Sequence, residues 1–336
     1  MNASKDASGG LPVSAGPSIS VIICTWNRCR LLSETLETVR AQRVASGSRI
    51  EVLVVDNNSS DGTEEVVRRF QGDWLLGQLV YLREPRQGKQ FALNRGIAHS
   101  TGDVLAFTDD DVILPHDWLE AIREAFREPT AQLIGGKTQL LWPGGASPAW
   151  FRQSMLAVVA GVDLGDRRLC PPPSDYAPAG TNLVARRIVF DRIGVFSESH
   201  FRHMDYEFGM RATRLGINVE YEPGLVVATP VPLEVINKRY FRRWYFKLGI
   251  AASMDGADGV RRLLGVPRWI WRQVMSDTVS VVWMRLRGRT DESFETEVRI
   301  AQLIGRVACS WHRTLWPRQH VQWVERRSQK RGATFG

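Results

Sequence analysis

The chain has 336 residues, with 44 Lys plus Arg against 36 Asp plus Glu and a formal net charge of +8. Its 43% hydrophobic and 24% charged residues exclude a disordered chain, and its length suits one large domain with an appendage, or two domains. No apolar stretch approaches the roughly 18–20 residues that span a bilayer, which excludes an ordinary transmembrane helix. The N-terminus lacks the basic start and apolar run of a secretory signal. The cysteines lack CxxC spacing, so we expect neither a structural zinc nor disulfides, but an intracellular protein.

The charge is unevenly distributed along the chain. Residues 231–336 hold 20 Lys plus Arg, only 9 Asp plus Glu, and seven of the twelve Trp, whereas the preceding part is mildly acidic. This asymmetry indicates two parts with different roles. We predict a Gly, Ser, Ala and Pro-rich disordered tail over residues 1–17, a domain over 18–235 and a basic, Trp-rich helical region over 236–336.

From Ile19 onward, short apolar runs alternate with segments of helical periodicity. The predicted strands are SISVIIC, IEVLVVD, LVYL and DVLAF, followed later by NVEYEP and LVVA. The predicted helices include one capped by Asp61 and Glu64 and others over about 89–98, 116–128 and 205–215. Strands that alternate with helices predict a mostly parallel, doubly wound α/β sheet, in which ligands bind beyond the carboxyl ends of the strands.

Polar side chains follow three of these strands. The first strand ends at Thr25 and Asn27, the second at Asp56, and the fourth at the triplet Asp109–Asp111. Consecutive carboxylates repel one another, and alternate residues of an extended chain project to the same side, so Asp109 and Asp111 could share one Mg²⁺ or Mn²⁺ ion. The alternative is an acidic turn before a helix, stabilised by the helix dipole.

The order and spacing of these motifs carry a family resemblance. The segments ISVIICTWNR, VVDNNSSDGT and GKQFALNRGIAHSTGDVLAFTDDDV resemble family 2 glycosyltransferases with the GT-A fold, and the stretch from AGTNLVARR to NVEYEP resembles the acceptor half of that family. The likeness covers about residues 18–230. It implies a Rossmann-like, mostly parallel sheet flanked by helices, here with a C-terminal α-helical extension, and transfer of a sugar from a nucleotide-diphosphate donor.

The resemblance also implies roles for single residues on the donor side. Asp56 matches the acid that accepts a hydrogen bond from the donor base, which suits the imide of UDP or dTDP. Asp109 matches the acid that faces the ribose and sugar, and Asp111 matches the metal ligand, although the acidic spacer Asp110 leaves open which pair binds metal. Lys89 or Arg95 could face the pyrophosphate or be exposed helix residues. The predicted donor-binding residues are Thr25, Asn27, Asp56, Lys89, Asn94, Asp109 and Asp110, and the predicted metal ligands are Asp109 and Asp111.

On the acceptor side, Asp205 matches the catalytic base of the family, which takes a proton from the attacking hydroxyl and leads to inversion at the anomeric carbon. The alternative role for Asp205 is that of an acid at a helix N-terminus. Two departures from the family pattern concern this site. Met204 replaces the usual preceding Glu, and the later His is missing from ATPVP; His203 or Glu207 could compensate.

The segment YFRRW partly resembles the QxxRW acceptor motif of processive members, with Tyr240 in place of Gln. Because processive members also carry transmembrane helices, we expect addition of a single sugar. The predicted acceptor residues are Glu207, Arg243 and Trp244, and the alternative is an amphipathic helix that packs on the catalytic domain.

Two later segments show apolar stripes at helical spacing. The first comprises Trp271, Val274 or Met275, Thr278, Val282 and Leu286, and the second runs from Ile300 to Leu315. Such stripes usually pack on a core, which is the favoured interpretation, although basic flanks with several Trp also suit an anionic membrane surface. No nucleic-acid-binding module is visible. We expect a glycan or lipid-linked glycan acceptor and a cytoplasmic location, with peripheral contact at the inner membrane as an option. A competing hypothesis is a non-catalytic scaffold with the same fold.

Overall fold

The computed structural model describes residues 16–198, 204–251, 261–320 and 323. Most of the predicted N-terminal tail (residues 1–15) and His203 lie outside this range. The described chain forms two compact units. The first contains residues 16–137, 164–198 and 204–227, and the second contains residues 138–163 together with the described residues from 228 onward.

Four parallel strands form one half of a seven-stranded sheet, in the spatial order β3-β2-β1-β4. They are β1 (Ile19–Thr25), β2 (Ile50–Asp56), β3 (Gln78–Arg83) and β4 (Val104–Asp109). The helices that connect or follow them are α1 (Cys29–Arg40), α2 (Thr63–Gln71), α3 (Lys89–His99) and α4 (Trp118–Ala125). The register pairs Thr25 with Asp56 and Cys24 with Asp109, so the polar ends of three strands meet at one edge.

The other half of the sheet contains antiparallel pairs. Its strands are β5 (Leu133–Leu141), β6 (Asn182–Arg186) and β7 (Val219–Pro230), which complete the order β3-β2-β1-β4-β6-β5-β7. Strand β6 runs antiparallel to both β4 and β5, and it is followed by α5 (Arg187–Ile193) and α6 (Met204–Arg214). The predicted α/β class with a mostly parallel sheet is confirmed.

Two boundaries differ from the prediction. The two predicted closing strands form one continuous strand, β7. Helix α4 begins at Trp118 rather than at His116, because Pro115 and His116 belong to a turn in which the amide of Trp118 donates to the carbonyl of Pro115.

Both faces of the central strands β1, β2 and β4 are covered, which explains why these strands are mostly apolar. On β1, Val21 and Ile23 belong to one buried cluster with Trp118 of α4, whereas Ile22 belongs to a second cluster with Leu93 of α3. Alternate residues of a strand point to opposite faces, so helices on both sides bury the whole strand. The polar residues just beyond the strand ends are thereby held on a rigid support.

The second unit is predominantly helical. Its long helices are α7 (Lys238–Ala251), α8 (Arg268–Leu286) and α9 (Ser293–Leu315), and a short hairpin of β8 (Arg262–Leu263) and β9 (Val266–Pro267) precedes α8. Helices α7 and α8 both pack on α9. An aromatic cluster fills part of this core, where the ring of Trp150 lies 5.0 Å from those of Phe241 and Phe294. No helix in the described ranges is long and apolar enough to cross a membrane.

The predicted core stripe of α8 is wrong for most of its members, although Trp271 and Val274 at the start of the helix do pack on a buried cluster with Ile270. The residues of α8 that are buried are Ile270, Asp277 and Val281, while four members of the predicted stripe, Met275, Thr278, Val282 and Leu286, are exposed. Apolar residues surround most of this helix, so their spacing alone does not select the face that packs. The face that does pack is marked by a buried, charged residue, Asp277.

Candidate active site

The acidic triplet after β4 is neutralised by basic side chains of the same unit. The guanidinium of Arg28, just beyond β1, donates to Asp110 and to Asp111, both at 3.0 Å. Lys89, the first residue of α3, forms an ion pair with Asp109. The carboxyl ends of parallel strands and the N-terminus of the following helix meet at this edge, which is how residues distant in sequence become partners.

The three carboxylates differ in protonation behaviour. Burial would raise the pKa of Asp109, but the ammonium of Lys89 outweighs it and holds the pKa below its usual value. Burial raises the pKa of Asp110 despite the charge of Arg28. For Asp111, burial and the charges of Asp109 and Asp110 together raise the pKa to about 6. Crowded carboxylates with raised pKa values mark a place where an additional cation would be stabilised.

Asp109 is held from a second side by the segment that precedes β6. The hydroxyl of Thr181 donates to Asp109 at 2.8 Å, and the hydroxyl of Thr108 donates to the carbonyl of Thr181 at 2.9 Å. These bonds exist because β6 pairs antiparallel with β4 and opposes Asn182 to Thr108. The position of Asp109 is therefore set by α3, β4 and β6 together.

Asp56 is buried at the end of β2 and accepts two hydrogen bonds. The backbone amide of Ser59 donates at 2.8 Å, and the hydroxyl of Tyr81 on β3 donates at 2.7 Å. Burial and the bond to Asp56 raise the pKa of Tyr81 well above its ordinary value, so this hydroxyl remains a donor. A carboxylate has about four acceptor positions, and these two hydrogen bonds occupy two of them.

The predicted residues at the end of β1 shape a neighbouring turn. Thr25 is buried in the sheet, and Asn27 adopts a left-handed backbone with a φ of 52°. The side-chain oxygen of Asn27 accepts a hydrogen bond from the backbone amide of Ser60 at 2.7 Å. The backbone amide of Asn27 donates a hydrogen bond to the hydroxyl of Ser59. Asn27 thus joins the β1 turn to the β2 turn that contains Asp56.

Asn94 and Glu207 engage partners within the protein. The side chain of Asn94 donates to and accepts from the backbone of Phe196, at 2.9 and 3.0 Å. Glu207 forms an ion pair with Arg211 one turn later on α6, and Arg211 also donates to the carbonyl of Val195. In this structure, both residues hold the segment that leads from α5 toward α6.

Asp205 lies in the first turn of α6, half-buried, close to the acidic edge of the sheet. The backbone amide of Gly180 donates to its carboxylate at 2.8 Å. Gly180 directly precedes Thr181, the residue that binds Asp109. Neighbouring residues therefore hold the predicted base and the predicted donor-side acid. The charge of Asp205 also contributes to the raised pKa of Lys89.

The other predicted acceptor residues lie on α7 in the second unit. Arg243 is exposed, whereas Trp244 is half-buried and packs against the aromatic cluster around Phe241. Its ring lies 5.3 Å from that of Tyr245. Trp244 thus contributes to the core of its own unit.

Comparison with known proteins gives the family. The models of "Glycosyl transferase family 2" and "Glycosyl transferase family group 2" match residues 20–154 and 104–309, and the latter covers more than half of the chain. The chain belongs to the family 2 glycosyltransferases. This family 2 glycosyltransferase is 28% identical to Glycosyltransferase AglE of Haloferax volcanii over 76% of its own length and 80% of that protein. It is 28% identical to Succinoglycan biosynthesis protein ExoM of Rhizobium meliloti, over 67% and 72% of the two chains.

A solved structure shows the same fold. The mannosyltransferase PcManGT from Pyrobaculum calidifontis, in complex with GDP-Man and Mn²⁺, superposes with a TM-score of 0.60 over 91% of this glycosyltransferase and 89% of that chain. The identity is 19%, so the likeness concerns the fold, which is GT-A.

The acidic triplet of this glycosyltransferase fits a divalent cation. No group of three or more His, Cys, Asp or Glu side chains converges as a ready-made metal site within the described ranges. Mg²⁺, however, is usually held by one or two carboxylates together with substrate phosphate oxygens. Asp111 supplies hard carboxylate oxygens, and a bound cation would offset the burial and the repulsion from Asp109 and Asp110 that raise its pKa.

Four residues of this site were not predicted. Arg28 and Tyr81 stand in the quoted segments TWNR and LVYL, and Gly180 and Thr181 stand in AGTNL. Their roles depend on pairing across the sheet, which no local pattern specifies. Each of these residues lies within a strand or close to the end of one, and this position was the only sequence signal for a role in the site.

Proposed function

We propose that this glycosyltransferase moves one sugar from a nucleotide-diphosphate donor to a hydroxyl of a glycan or lipid-linked glycan, with inversion and with Mg²⁺ or Mn²⁺. One observation carries the proposal: the adjacent residues Gly180 and Thr181 hold Asp205 and Asp109. An acid suited to the donor and an acid suited to the acceptor are thus kept at a fixed separation. A single displacement at the anomeric carbon requires this arrangement.

Asp205 would act as the base. Its carboxylate takes the proton of the acceptor hydroxyl as that oxygen forms a bond to the anomeric carbon. The bond from the anomeric carbon to the diphosphate oxygen breaks, and the nucleoside diphosphate leaves with that electron pair. Attack on the face opposite the leaving group inverts the configuration. The Gly180 amide keeps the carboxylate oriented, which suits a base that acts at one position.

Asp111, with Asp109, would hold the divalent ion, which supplies charge stabilisation to the departing diphosphate when it is bound. Lys89 would remain beside Asp109 and add positive charge next to the donor. Arg28 would yield its contact with Asp111 to the ion and would pair with Asp110 or with a phosphate oxygen of the donor. With these contacts, the negative charges of the three carboxylates stay paired with nearby cations.

The donor base would be uracil or thymine. The imide N–H of either base is a hydrogen-bond donor, and Asp56 is a buried hydrogen-bond acceptor. The Tyr81 hydroxyl fixes the orientation of that carboxylate. Guanine also presents N–H donors, so the ranking of UDP and dTDP above GDP rests on the resemblance of the Asp56 motif to that of the family.

The acceptor side is assigned more coarsely. Arg243 is exposed and could pair with an acceptor phosphate, while Tyr240 in place of Gln favours addition of one sugar over processive synthesis. The likeness to a succinoglycan biosynthesis protein supports a glycan acceptor. We place the reaction in the cytoplasm, with the lipid-linked acceptor met at the inner membrane surface.

A melting scan with nucleotides tests the proposal. A ligand at about a hundred times its Kd stabilises by about 2.7 kcal/mol, which raises Tm by several degrees in a protein of this size. We expect UDP or dTDP with Mn²⁺ to raise Tm in this way, with a smaller shift for GDP. Asp111→Asn should remove the part of the Tm shift that depends on Mn²⁺. Absence of a shift with every nucleotide would refute donor binding and favour the non-catalytic scaffold.

A further inference from the structure

Helix α8 exposes an apolar face along its second half. Five side chains, Met275, Val279, Val282, Trp283 and Leu286, form this outer face of α8, and all five are exposed, with Val279 at 69% and Leu286 at 82%. At 100° per residue, Val279 stands opposite Ile270, which is buried against the rest of the second unit. A soluble surface rarely leaves this much apolar area uncovered in one strip.

The opposite face of α8 is firmly anchored. Arg299 of α9 donates two hydrogen bonds to the buried Asp277, both at 2.7 Å. Val281 packs on the same side of the helix as Asp277. The orientation of the helix is therefore determined by the second unit itself, and the outer face of α8 cannot rotate inward without breaking a buried ion pair.

The segment that carries the outer face is rich in arginine, of which Arg285 and Arg289 pair with acids that follow the segment. The segment 261–289 contains seven Arg and a single acid, and that acid is the buried Asp277. Arg268 and Arg272 share the side of the outer face at its N-terminal end, and both are exposed. At the other end, the guanidinium of Arg287 lies 3.7 Å from the ring centroid of Trp283. An apolar strip is thus bounded by cationic groups at both ends.

The hairpin before α8 extends this surface. Leu263 and Leu264 are exposed at its turn, next to Arg261 and Arg262. The indole N–H groups of Trp271 and Trp311 donate to the carbonyls of Leu263 and Leu264, at 3.1 and 2.9 Å. These two hydrogen bonds fix the backbone of the turn that carries the two leucine side chains.

We propose that the outer face of α8, with this hairpin turn, docks on an anionic lipid surface. Apolar side chains would enter the boundary between headgroups and acyl chains, and the arginines would contact lipid phosphates. Two competing occupants suit the face less well. A second copy would bring one arginine-rich segment against another, and a nucleic acid would leave the five apolar side chains uncovered.

This proposal concerns the second unit and stands apart from the transfer chemistry. It is tested with the full chain by flotation with vesicles of phosphatidylcholine, alone or with about one-third phosphatidylglycerol. We expect flotation with the anionic vesicles at about 0.1 M salt, and release at about 0.5 M salt. Arg268→Gln/Arg272→Gln should reduce partitioning about 25-fold, because each arginine near an anionic surface contributes about fivefold.

The apolar part is tested by Val279→Glu/Leu286→Glu, which should abolish flotation. The matched control is Leu75→Glu/Leu233→Glu, which places the same charges on exposed leucines that do not belong to this face and should float like the parent protein. Circular dichroism and the nucleotide-dependent Tm shift verify that each variant is folded, so failure here is distinguishable from failure of the proposed transfer reaction.

Three results would overturn the proposal. The parent protein could fail to float with anionic vesicles at low salt, or the control could lose as much partitioning as the outer-face variant. The third result would be a dimer, detected by light scattering in the absence of lipid, that Val279→Glu/Leu286→Glu converts to a monomer. This outcome would identify the face as a contact between copies of the chain.

Discussion

The guanidinium of Arg28 lies 3.0 Å from the carboxylate of Asp111, the proposed metal ligand. The same nitrogen also donates to Asp110. One protein cation therefore satisfies two acids that would otherwise repel each other, and a divalent ion must compete with it. This relationship gives the first prediction.

Arg28→Met should lower Tm in metal-free buffer, because it leaves two poorly solvated carboxylates unpaired, at a cost of about 1–3 kcal/mol. Added Mn²⁺ should then raise Tm more in the variant than in the parent protein, since its competitor is gone. The control is Arg30→Met, whose partner Glu34 is exposed. Equal Mn²⁺ responses in all three proteins would contradict the competition.

Asp205→Asn should reduce kcat about 10²- to 10⁴-fold, the usual contribution of a general base. The KM for the donor should change little, because the Asn side chain can still accept the hydrogen bond from Gly180. Steady-state transfer assays provide the measurement. Asp191→Asn, on the exposed side of α5, is the control. A variant of Asp205 with parental kcat would assign that residue to helix stabilisation only.

Tyr81→Phe removes the hydroxyl that donates to Asp56. We expect a loss of about 1 kcal/mol in stability and about a tenfold weaker affinity for UDP or dTDP, with little change for GDP. Isothermal titration with each nucleotide provides the measurement. Tyr206→Phe is an exposed control. Uniform weakening across all three nucleotides would argue that Asp56 does not face the base.

The ion pair between Asp277 and Arg299 makes the stability of the second unit depend on pH. Burial would raise the pKa of Asp277, but hydrogen bonds from Arg299 and Gln273 outweigh it and lower the pKa below 3.8. A carboxyl group with a lowered pKa adds stability above its unfolded pKa, and this stability is lost as pH falls through the folded pKa.

Asp277→Asn should therefore cost about 2 kcal/mol at pH 7, less than a fully buried pair because Arg299 is half-exposed. The difference from the parent protein should shrink below pH 3.8. Denaturant unfolding at several pH values measures it. Glu292→Gln, in an exposed pair with Arg289, should cost at most about 0.5 kcal/mol. A pH-independent difference for Asp277→Asn would attribute its effect to packing.

Helices α7 and α9 approach closely at Gly305. A methyl group there would lie 2.0 Å from the carbonyl oxygen of Phe246, so Gly305→Ala forces the helices apart and should cost about 3 kcal/mol. Gly62→Ala is the control, since a methyl group there would lie 3.7 Å from its nearest neighbour, the flexible side chain of Glu65, and should change stability by at most about 0.5 kcal/mol. Similar Tm values for the two variants would show that the helix pair can separate at little cost.

Much of the sheet could be predicted because the signal for a buried strand lies in the residues of that strand. The runs of Val, Ile and Leu in β1, β2 and β4 mark strands buried on both faces, and the parallel topology then brings Asp56 and Asp109 to one edge. The contacts that complete the site are not local. Arg28 reaches Asp110 across 82 positions of sequence, and Thr181 reaches Asp109 across 72. The first pairing follows from the parallel contact of β1 with β4, and the second follows from the antiparallel insertion of β6 beside β4. Neither neighbour relationship can be read from the residues of one strand alone.

The stripe on α8 shows a different reason for failure. A helix that is apolar around most of its circumference offers two candidate faces, and periodicity cannot rank them. The face that packs is determined by Asp277, whose ion-pair partner Arg299 lies 22 positions away in the sequence. Sequence patterns identify helices of this kind more securely than they orient them.

The adjacent hydrogen bonds of Gly180 and Thr181 have a consequence for how acceptor preference can change. The two proposed reactive acids are held by a dipeptide that directly precedes β6 and ends the long connection from β5, whereas the earlier part of that connection contributes to neither bond. Residues 164–179 of the connection are tied to the sheet and to α6, for example by the pairing of Leu169 with Tyr221. We therefore expect changes within residues 143–163 to leave the hydrogen bonds of Gly180 and Thr181 in place, and grafting a related segment there would test whether it selects the acceptor without disturbing the proposed transfer geometry.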